Sequence, residues 1–377
     1  MKSPLQAIRA ERHWSQADLA KLMREQAQRE GISQIPPKTA LVTSISRWEN
    51  DHCTPSETYR SLLRHVTGLT DVELGFTQPP EDPITPVPQA QADELRMDLD
   101  AARRVDAKHV LALQRQVDSF RQLDRPLGAL ALVEPVRSFI AMTSRLVDHA
   151  VLGPQGGALA RVLADAASLA GWQALDLGSL KPAWTLFQTA QAAARTAEDP
   201  CLLAYATGEQ AYVLLELDRF ADAVDLVRYA GKDARRLDPF MRVWLNAAEA
   251  EILAAAGEAT PALRAWDKAA TLLSREPVAE PLPYLALEEV HLTRWRGNVL
   301  ARVGHPDATP SLTAALEAMS PDFRRATAGL HCDLAIAATA RGEHDRARAH
   351  ATEARALATR IGSVRQINRV NRIRLGG

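Results

Sequence analysis

Cysteine and net charge are both scarce in this sequence. Three cysteines, Cys53, Cys201 and Cys332, occur among 377 residues, and none belongs to a Cys-x-x-Cys pair. This spacing argues against a disulfide framework and against a zinc site, so we expect no metal and a reducing compartment. The formal net charge is −1, which implies no overall field that would attract nucleic acid or a membrane surface.

Long hydrophobic runs are missing as well. The sequence contains no run of about 18 apolar residues that could cross a membrane. Its N-terminus lacks the basic and then apolar pattern of a signal peptide. We therefore expect a cytoplasmic protein with no membrane partner.

Motifs of the common catalytic sites are also absent. The sequence has no P-loop, no G-x-G-x-x-G after a strand, no H-E-x-x-H and no G-x-S-x-G, and its histidines are scattered. We expect neither an enzymatic activity nor a cofactor.

Proline marks the main division of the chain. Residues 77–92 hold five prolines in sixteen positions, a density that forbids a helix and favours an extended, semi-rigid segment. We predict that this linker joins a small domain, residues 1–76, to a larger C-terminal region.

The N-terminal domain carries the signals of short helices. Ser15 stands where an N-cap belongs, ahead of an acidic first turn, so its hydroxyl can accept an otherwise free backbone N–H. Leu41, Ile45 and Trp48 recur at i, i+4 and i+7. That spacing predicts a helix over residues 39–49 with one buried face.

The other side of this helix differs in chemistry from the buried one. It carries Val42, Thr43, Ser46 and Arg47. Such a side could enter the major groove of DNA.

Three motifs of this domain resemble the lambda-repressor-like family of DNA-binding proteins, often called XRE. They are W-S-Q-A-D-L-A at 14–20, I-S-R-W-E-N-D at 45–51 and L-L-R-H-V-T-G-L-T-D-V-E-L-G-F at 62–76. The resemblance implies a five-helix helix-turn-helix domain that reads double-stranded DNA with the 39–49 helix and contacts a phosphate through Gln16. It also implies a homodimer on an inverted-repeat operator.

Two departures from the family pattern bear on this domain. Residues 23–40 exceed the usual turn between the second and third helices, so either the second helix extends to Glu30 or the insertion forms an extra loop. Lys38 and Thr39 are then placed for phosphate contact. Asp51 replaces the glycine that usually follows the Glu-Asn pair, and aspartate tolerates a left-handed turn better than most residues.

Residues 93–154 are predicted to form a helical connecting segment. One helix begins after Asp106 and ends where Asp124 to Gly128 break the pattern, and a second covers residues 135–151. This segment either caps the repeats that follow or serves dimerisation or signal relay.

The region 155–363 repeats itself at intervals of 38 to 47 residues. Turn residues recur at Gly178, Asp218, Gly257, Gly304 and Gly342. Small residues mostly lie seven before, five after and twelve after each turn, and the fourth repeat departs with Thr309 and Leu316. Two antiparallel helices pack closely only where small side chains meet, so we predict five helical hairpins stacked into a solenoid.

This pattern resembles the tetratricopeptide (TPR) repeat, although its period is longer. The resemblance implies an all-α superhelix whose first helices line a concave groove. The groove positions are Trp172, Tyr205, Tyr212, Trp244, Glu251, Arg294, Asn298 and Arg302. Aromatic side chains at one end and arginines at the other suit a short peptide or a small molecule, although each residue taken alone could equally be a packing residue.

The tail, residues 364–377, contains Arg365, Arg369, Arg372 and Arg374 and no acidic residue. Apolar residues recur at every third position from Val364. We predict a terminal capping helix with a basic outer face, and contact between this tail and the DNA backbone is the alternative.

Together these features predict a transcriptional regulator. The order of domains resembles peptide-responsive quorum-sensing regulators and the TPR-containing XRE regulators of high-GC bacteria. The resemblance implies sequence-specific DNA binding by a homodimer, with an effector in the repeats. The alternative is a TPR interaction module that recruits or sequesters a partner protein without a small ligand.

Overall fold

The computed structural model describes residues 3–32, 35–50, 52–76, 89–150, 155–275, 282–285 and 287–374. The regular structure across these ranges is helical, which confirms the all-α prediction. The chain divides into two compact units, Met1–Gln91 and Ala92–Gly377. None of the helices in the described ranges combines the length and the apolar character needed to cross a membrane.

The N-terminal unit contains four helices in its described part: α1 Pro4–Glu11, α2 Gln16–Arg29, α3 Lys38–Glu49 and α4 Glu57–Thr67. Ser15 begins α2 as predicted. Its hydroxyl accepts the backbone N–H of Asp18, whose carboxylate in turn accepts the N–H of Ser15, a reciprocal capping box. The core of this unit includes Leu5, Leu19, Met23, Leu41, Ile45, Leu62, Leu63 and Leu74.

Of the two alternatives predicted for residues 23–40, the structure has the longer second helix. Helix α2 extends to Arg29 with Glu30 as its C-cap, so the second helix is long. Residues 33–34 and Asp51, where a left-handed turn is predicted, lie outside the described residues.

The fifth helix predicted for this unit is wrong. After Gly68, which takes a left-handed φ of 69°, the chain forms consecutive turns up to Phe76. Leu74 bonds back to Thr70 with an N–O distance of 3.0 Å, but Gly75 has a φ of 77° and ends this single turn. The segment still closes the core, because Leu74 is fully buried.

The C-terminal unit is a longer succession of helices. They are α5 Gln89–Arg103, α6 Ala107–Leu127, α7 Val133–His149, α8 Gly156–Asp176, α9 Leu180–Thr196, α10 Pro200–Glu216, α11 Phe220–Ala230, α12 Pro239–Ala255, α13 Ala259–Arg275, α14 Glu289–Arg302, α15 Ala308–Ala318, α16 Arg324–Ala340, α17 His344–Ile361 and α18 Val364–Asn371. Short 3₁₀ turns lie at Ala129–Ala131 and Ala234–Arg236.

Five hairpins follow one another from α8 to α17. Each predicted turn residue lies between the two helices of a hairpin and has a positive φ, from 56° at Asp218 to 82° at Gly257. Glycine reaches this region without steric cost, and aspartate tolerates it better than most residues. The predicted hairpins and their turns are therefore confirmed.

Small residues allow the two helices of a hairpin to approach closely. A Cβ atom added at Gly171 would lie 2.7 Å from a ring carbon of Phe187, and one at Gly297 would lie 2.5 Å from Leu312 Cδ2. Both facing side chains are fully buried. Glycine at these positions is thus a packing requirement.

Gly297→Ala is expected to lower the free energy of unfolding of the C-terminal unit by about 1–3 kcal/mol, because the added methyl overpacks the contact with Leu312. Gly157→Ala is the matched control, since a Cβ there meets nothing within 4 Å. Thermal and urea unfolding should show a loss for the first variant and no loss for the second. Equal stability of the two variants would contradict the packing explanation.

The fourth hairpin also has small buried residues where its two helices meet, but they lie one position earlier than predicted. Its buried small residues are Ala308 and Ala315, one position before Thr309 and Leu316. Pro306 and Asp307 form a second turn before α15 begins. The departure seen in the sequence therefore reflects a different turn and not a loss of close packing.

Two boundaries of the connecting region differ from the predictions. Helix α5 begins at Gln89, inside the predicted linker, whose residues 77–88 lie outside the described part of the chain. Helix α6 begins after Asp106 as predicted but continues through Asp124 and includes Pro126 in its last turn. The Gly128 N–H bonds the Asp124 carbonyl at 3.0 Å, so the helix ends at Gly128.

Helices outside the hairpins connect the two ends of the array. α6 packs along α8 of the first hairpin and touches α16 of the last. α18 packs on α16 and α17 and also reaches α8. The inner helices of the hairpins, together with α6 and α18, therefore surround a common interior.

Candidate functional site

Helix α3 has one buried and one exposed face. Leu41, Ile45 and Trp48 lie in the core as predicted. Lys38, Thr39, Thr43 and Arg47 are exposed, and Val42 and Ser46 are half-buried.

Glu49 locks α3 against the two preceding helices. Its carboxylate is buried and accepts from Arg9 Nε at 2.6 Å and from Gln16 Nε2 at 2.7 Å. Glu49 of α3 therefore joins this helix to α1 and α2. Asn50 does act locally, since its amide donates to the Ser46 carbonyl at 2.7 Å.

Gln16 is placed differently from the solvent-directed residues of α3. It is half-buried, and its amide nitrogen is held by Glu49. Its position at the first turn of α2 stays at the surface of the unit, so phosphate contact by this residue remains a prediction.

The exposed face of α3 has the composition of a surface that can bind an anion. Lys38 and Arg47 supply positive charge, and Thr39, Thr43 and Ser46 supply hydroxyl groups. The one acidic residue of the helix, Glu49, points away into the core. The Arg47 guanidinium forms no hydrogen bond or ion pair with the described residues, so it is free to bond an external acceptor.

The second site is a cavity of about 230 Å³ inside the C-terminal unit. Its walls come from the inner helices α8, α10, α12, α14 and α16 and from α6 and α18. Seven of the eight predicted groove residues line it: Trp172, Tyr205, Tyr212, Trp244, Glu251, Arg294 and Asn298. Arg302 lines a separate hollow beside α18.

Aromatic rings form one part of the cavity wall. The Tyr205 ring lies 5.2 Å from that of Trp244 and 4.9 Å from that of Tyr284. Trp172 and Tyr212 meet edge to face at 5.9 Å. These rings also belong to the main hydrophobic core, so they pack and line the cavity at once.

The tail completes this aromatic part. The Arg365 guanidinium carbon lies 5.1 Å from the Trp172 ring centre and 5.4 Å from that of Tyr212. Its Nε pairs with Glu216 at 2.7 Å. The prediction of a basic outer face is therefore wrong for Arg365 and also for Arg369, which pairs with buried Asp333 at 2.5 Å. Burial in ion pairs places both arginines inside the unit.

Ion pairs hold the surrounding helices together. Arg325 of α16 pairs with Asp124 of α6 and with Asp176 of α8, each at 2.8 Å. The Asp176 carboxylate also accepts from the Ser363 hydroxyl at 2.6 Å. Both carboxylates and the hydroxyl are buried, so this cluster connects the two ends of the array.

Three polar side chains on the cavity wall have atoms that form neither a hydrogen bond nor an ion pair with a described residue. They are Nε of Arg294, both ring nitrogens of His291, and Oε2 of Glu209, and all four atoms are buried. A buried polar atom left without a partner costs about 1–3 kcal/mol. Such atoms are uncommon in folded proteins and call for an explanation.

Burial changes the protonation of two of these groups. Desolvation raises the pKa of Glu209 to about 8, so its carboxyl is neutral and can donate a proton in a hydrogen bond at pH 7. Desolvation, together with the charges of Arg294 and Arg125, lowers the pKa of His291 to about 4. The imidazole is therefore neutral as well.

The raised pKa of Glu209 predicts a pH-dependent stability. Between its ordinary value of 4.5 and about 8 the folded state keeps the proton and the unfolded state has lost it. The free energy of unfolding should therefore fall as pH rises through this window. Glu209→Gln, which cannot ionise, should lose less stability than the wild type between pH 5 and pH 9, and urea unfolding at both values would measure this. Parallel curves for the two proteins would contradict a neutral Glu209.

Several residues of the cavity wall were not predicted, although helical spacing could have indicated some of them. Glu209 lies four residues after Tyr205 and three before Tyr212, on the same helical face. His291 precedes Arg294 by three residues in the same way. Residues of α6, α16 and α18 carried no such signal, because only the long-range packing brings those helices to the cavity.

Comparison with known proteins gives only weak structural likeness. No protein-family model matches the chain, and no curated protein matches it. Among solved structures, one similar chain is aspartyl phosphate phosphatase F from Bacillus subtilis, at 13% sequence identity and a TM-score of 0.40. The alignment covers 96% of each chain. A likeness at this level supports no conclusion about activity.

Proposed function

We propose that this chain is a sequence-specific DNA-binding transcriptional regulator, whose C-terminal unit binds an effector and mediates dimerisation. The observation that carries the first part is the exposed face of α3, where the Arg47 guanidinium has no hydrogen bond or ion pair with a described residue and the acidic residue of the helix, Glu49, is buried. The cavity of the C-terminal unit supports the binding of an effector, and the homodimer is inferred from the modest charge of the N-terminal unit.

The dimensions of α3 suit a recognition helix. Twelve residues give a helix about 18 Å long, and the diameter of an α-helix with its side chains, about 10–12 Å, matches the roughly 12 Å width of the major groove of B-DNA. Arg47 in the last turn would bond guanine, and Val42 and Thr43 would contact thymine methyl groups. Lys38 and Thr39, at the start of the helix, would bond phosphate oxygens.

The small net charge of the N-terminal unit favours DNA binding by two such units in a homodimer over binding by a single unit. Residues 1–76 hold ten lysine and arginine residues against nine acidic residues. A single unit of this charge gains little from counterion release. A homodimer would double the contacts and read an inverted repeat with half-sites about one helical turn, or a multiple, apart.

An effector would act through the C-terminal unit. A ligand shifts an equilibrium only by its differential affinity for two states. The cavity is bounded by helices from both ends of the hairpin array, so a bound molecule would favour one spacing of those ends over another. In a dimer held together by this unit, that spacing would set the separation of the two DNA-binding heads.

Selection from a random double-stranded DNA library tests the proposal with the full-length protein. We expect an enriched inverted repeat. A protein that enriches no sequence, yet captures a defined partner protein through its C-terminal unit, would instead be an interaction module.

A further inference from the structure

We propose that the cavity binds a small organic acid with a flat apolar body, its carboxylate held by Arg294 and its body against the aromatic wall. This inference rests on the proposed effector role and gives the chemical class of the effector.

The size of the cavity limits the ligand. A dry cavity of about 150 Å³ can hold benzene, and pockets for drug-sized ligands begin at about 300 Å³. The cavity here, at about 230 Å³, lies between these values. It suits a molecule of one or two rings and is too small for a peptide of several residues.

Arg294, like Arg125, has no carboxylate partner among the described residues, unlike the other four arginines of the wall. Arg121, Arg325, Arg365 and Arg369 each pair with an acidic residue. The Arg294 guanidinium makes no hydrogen bond or ion pair to a described residue, and its Nε is buried. Desolvation lowers its pKa although Glu251 and Asp333 attract its charge, so a bound anion would add compensation that these groups do not fully supply.

The surroundings of Arg294 add two more groups that favour an anion. His291, three residues earlier on α14, has two unpartnered ring nitrogens and can donate one N–H. Its ring lies 4.6 Å from the Phe323 ring, and the Arg125 guanidinium lies 4.6 Å from the same ring. A carboxylate at this end would meet positive charge and a donor together.

Of the described acidic groups at this wall or beside it, all but Glu251 are either paired with an arginine or kept neutral by burial. Glu251 accepts from the Tyr212 hydroxyl at 2.9 Å, and Asp333 is held by Asn298 at 2.8 Å and by Arg369. Burial raises the pKa of Glu209 to about 8, so its carboxyl is neutral at pH 7. Charge repulsion inside the cavity is therefore limited.

The body of the ligand would meet aromatic rings. Trp295 lies beside Arg294, whose guanidinium carbon is 5.4 Å from the Trp295 ring centre. Trp172, Tyr205 and Trp244 line the same cavity. Flat apolar molecules pack well against such rings, whereas an aliphatic polyol would leave them without a matching surface.

Calorimetric titration of the full-length protein with phenylacetate and indole-3-acetate tests the proposal, and phenylacetamide and indole-3-acetamide are the uncharged matches. At least one acid should bind at least about tenfold more tightly than its amide, and quench tryptophan fluorescence. Arg294→Gln should weaken binding of that acid by about tenfold or more, since a buried charged hydrogen bond is lost. Arg296→Gln, on the exposed side of the same helix, should bind as the wild type does.

Three results would overturn the proposal: no binding of either acid at millimolar concentration, equal binding of an acid and its amide, or equal binding by the Arg294 and Arg296 variants. If Arg294→Gln fails to fold, the comparison of acid with amide on the wild type decides. The titration contains no DNA, so its failure is separate from that of the regulator proposal. A protein that binds the acid but selects no DNA sequence would keep the cavity assignment and lose the regulatory one.

Discussion

Arg325→Ala is expected to lower the free energy of unfolding of the C-terminal unit by about 3–5 kcal/mol, the usual cost of breaking a buried ion pair. The substitution would leave Asp124 and Asp176 without their cation, and these residues are 5% and 1% exposed. Because the three side chains come from α16, α6 and α8, the loss would fall on the contact between the two ends of the array.

Urea unfolding followed by circular dichroism measures this effect. Arg324→Ala is a close control, since Arg324 is the neighbouring residue, is exposed and forms no ion pair within the described part of the chain. It should change stability by less than about 0.5 kcal/mol. If the two variants were equally stable, Arg325 would not join the ends of the array in the way described.

Arg47→Ala is expected to reduce affinity for the selected DNA sequence by about tenfold to a hundredfold, which corresponds to the loss of about 1–3 kcal/mol from a bidentate contact with guanine. The folded state should be unaffected, because the guanidinium is exposed and bonds none of the residues that the structure describes. Affinity for unrelated DNA should fall much less, so the ratio of the two affinities is the informative quantity.

Fluorescence anisotropy with labelled duplexes at one fixed salt concentration measures both affinities. Arg29→Ala removes the same charge from the far end of α2, about 20 Å along the helix from Gln16. It should leave the ratio unchanged. An equal loss of specificity in both variants would mean that charge alone, and not base contact by α3, determines binding.

Local rules explain why so much of the hairpin array could be predicted. A turn residue with positive φ and small residues at fixed offsets are properties of one hairpin, so they are visible in the sequence. Before Ala308 the turn differs from those of the other hairpins, and the small residue lies four positions after Gly304 where five were expected. The prediction therefore placed Thr309 at the position of the small residue. In the structure Ala308 and Ala315 are small buried residues of this hairpin, which the spacing in the other repeats does not predict.

Long-range contacts explain most of what the sequence did not reveal. Arg365 and Arg369 stand in a tail without acidic residues, so exposure was the natural prediction. Their partners, Glu216 and Asp333, lie on α10 and α16. These groups meet because the helices at the two ends of the array pack together. The spacing of residues in the sequence does not predict that packing.

The N-terminal unit shows the same division. The cap at Ser15 and the buried face of α3 depend on neighbouring residues and were predicted correctly. The role of Glu49 was not, because its partner Arg9 lies 40 positions earlier in the chain. The missing fifth helix followed from Gly75, whose left-handed conformation allowed a single turn and no more.

The central claim is that α3 reads a DNA sequence, and genome-wide immunoprecipitation of bound DNA tests it most directly. Cells producing the full-length protein would be compared with cells producing Arg47→Ala at the same level. We predict discrete peaks that share an inverted repeat in the first and are lost in the second. Peaks that are absent from both, or that persist unchanged in Arg47→Ala, would contradict the claim.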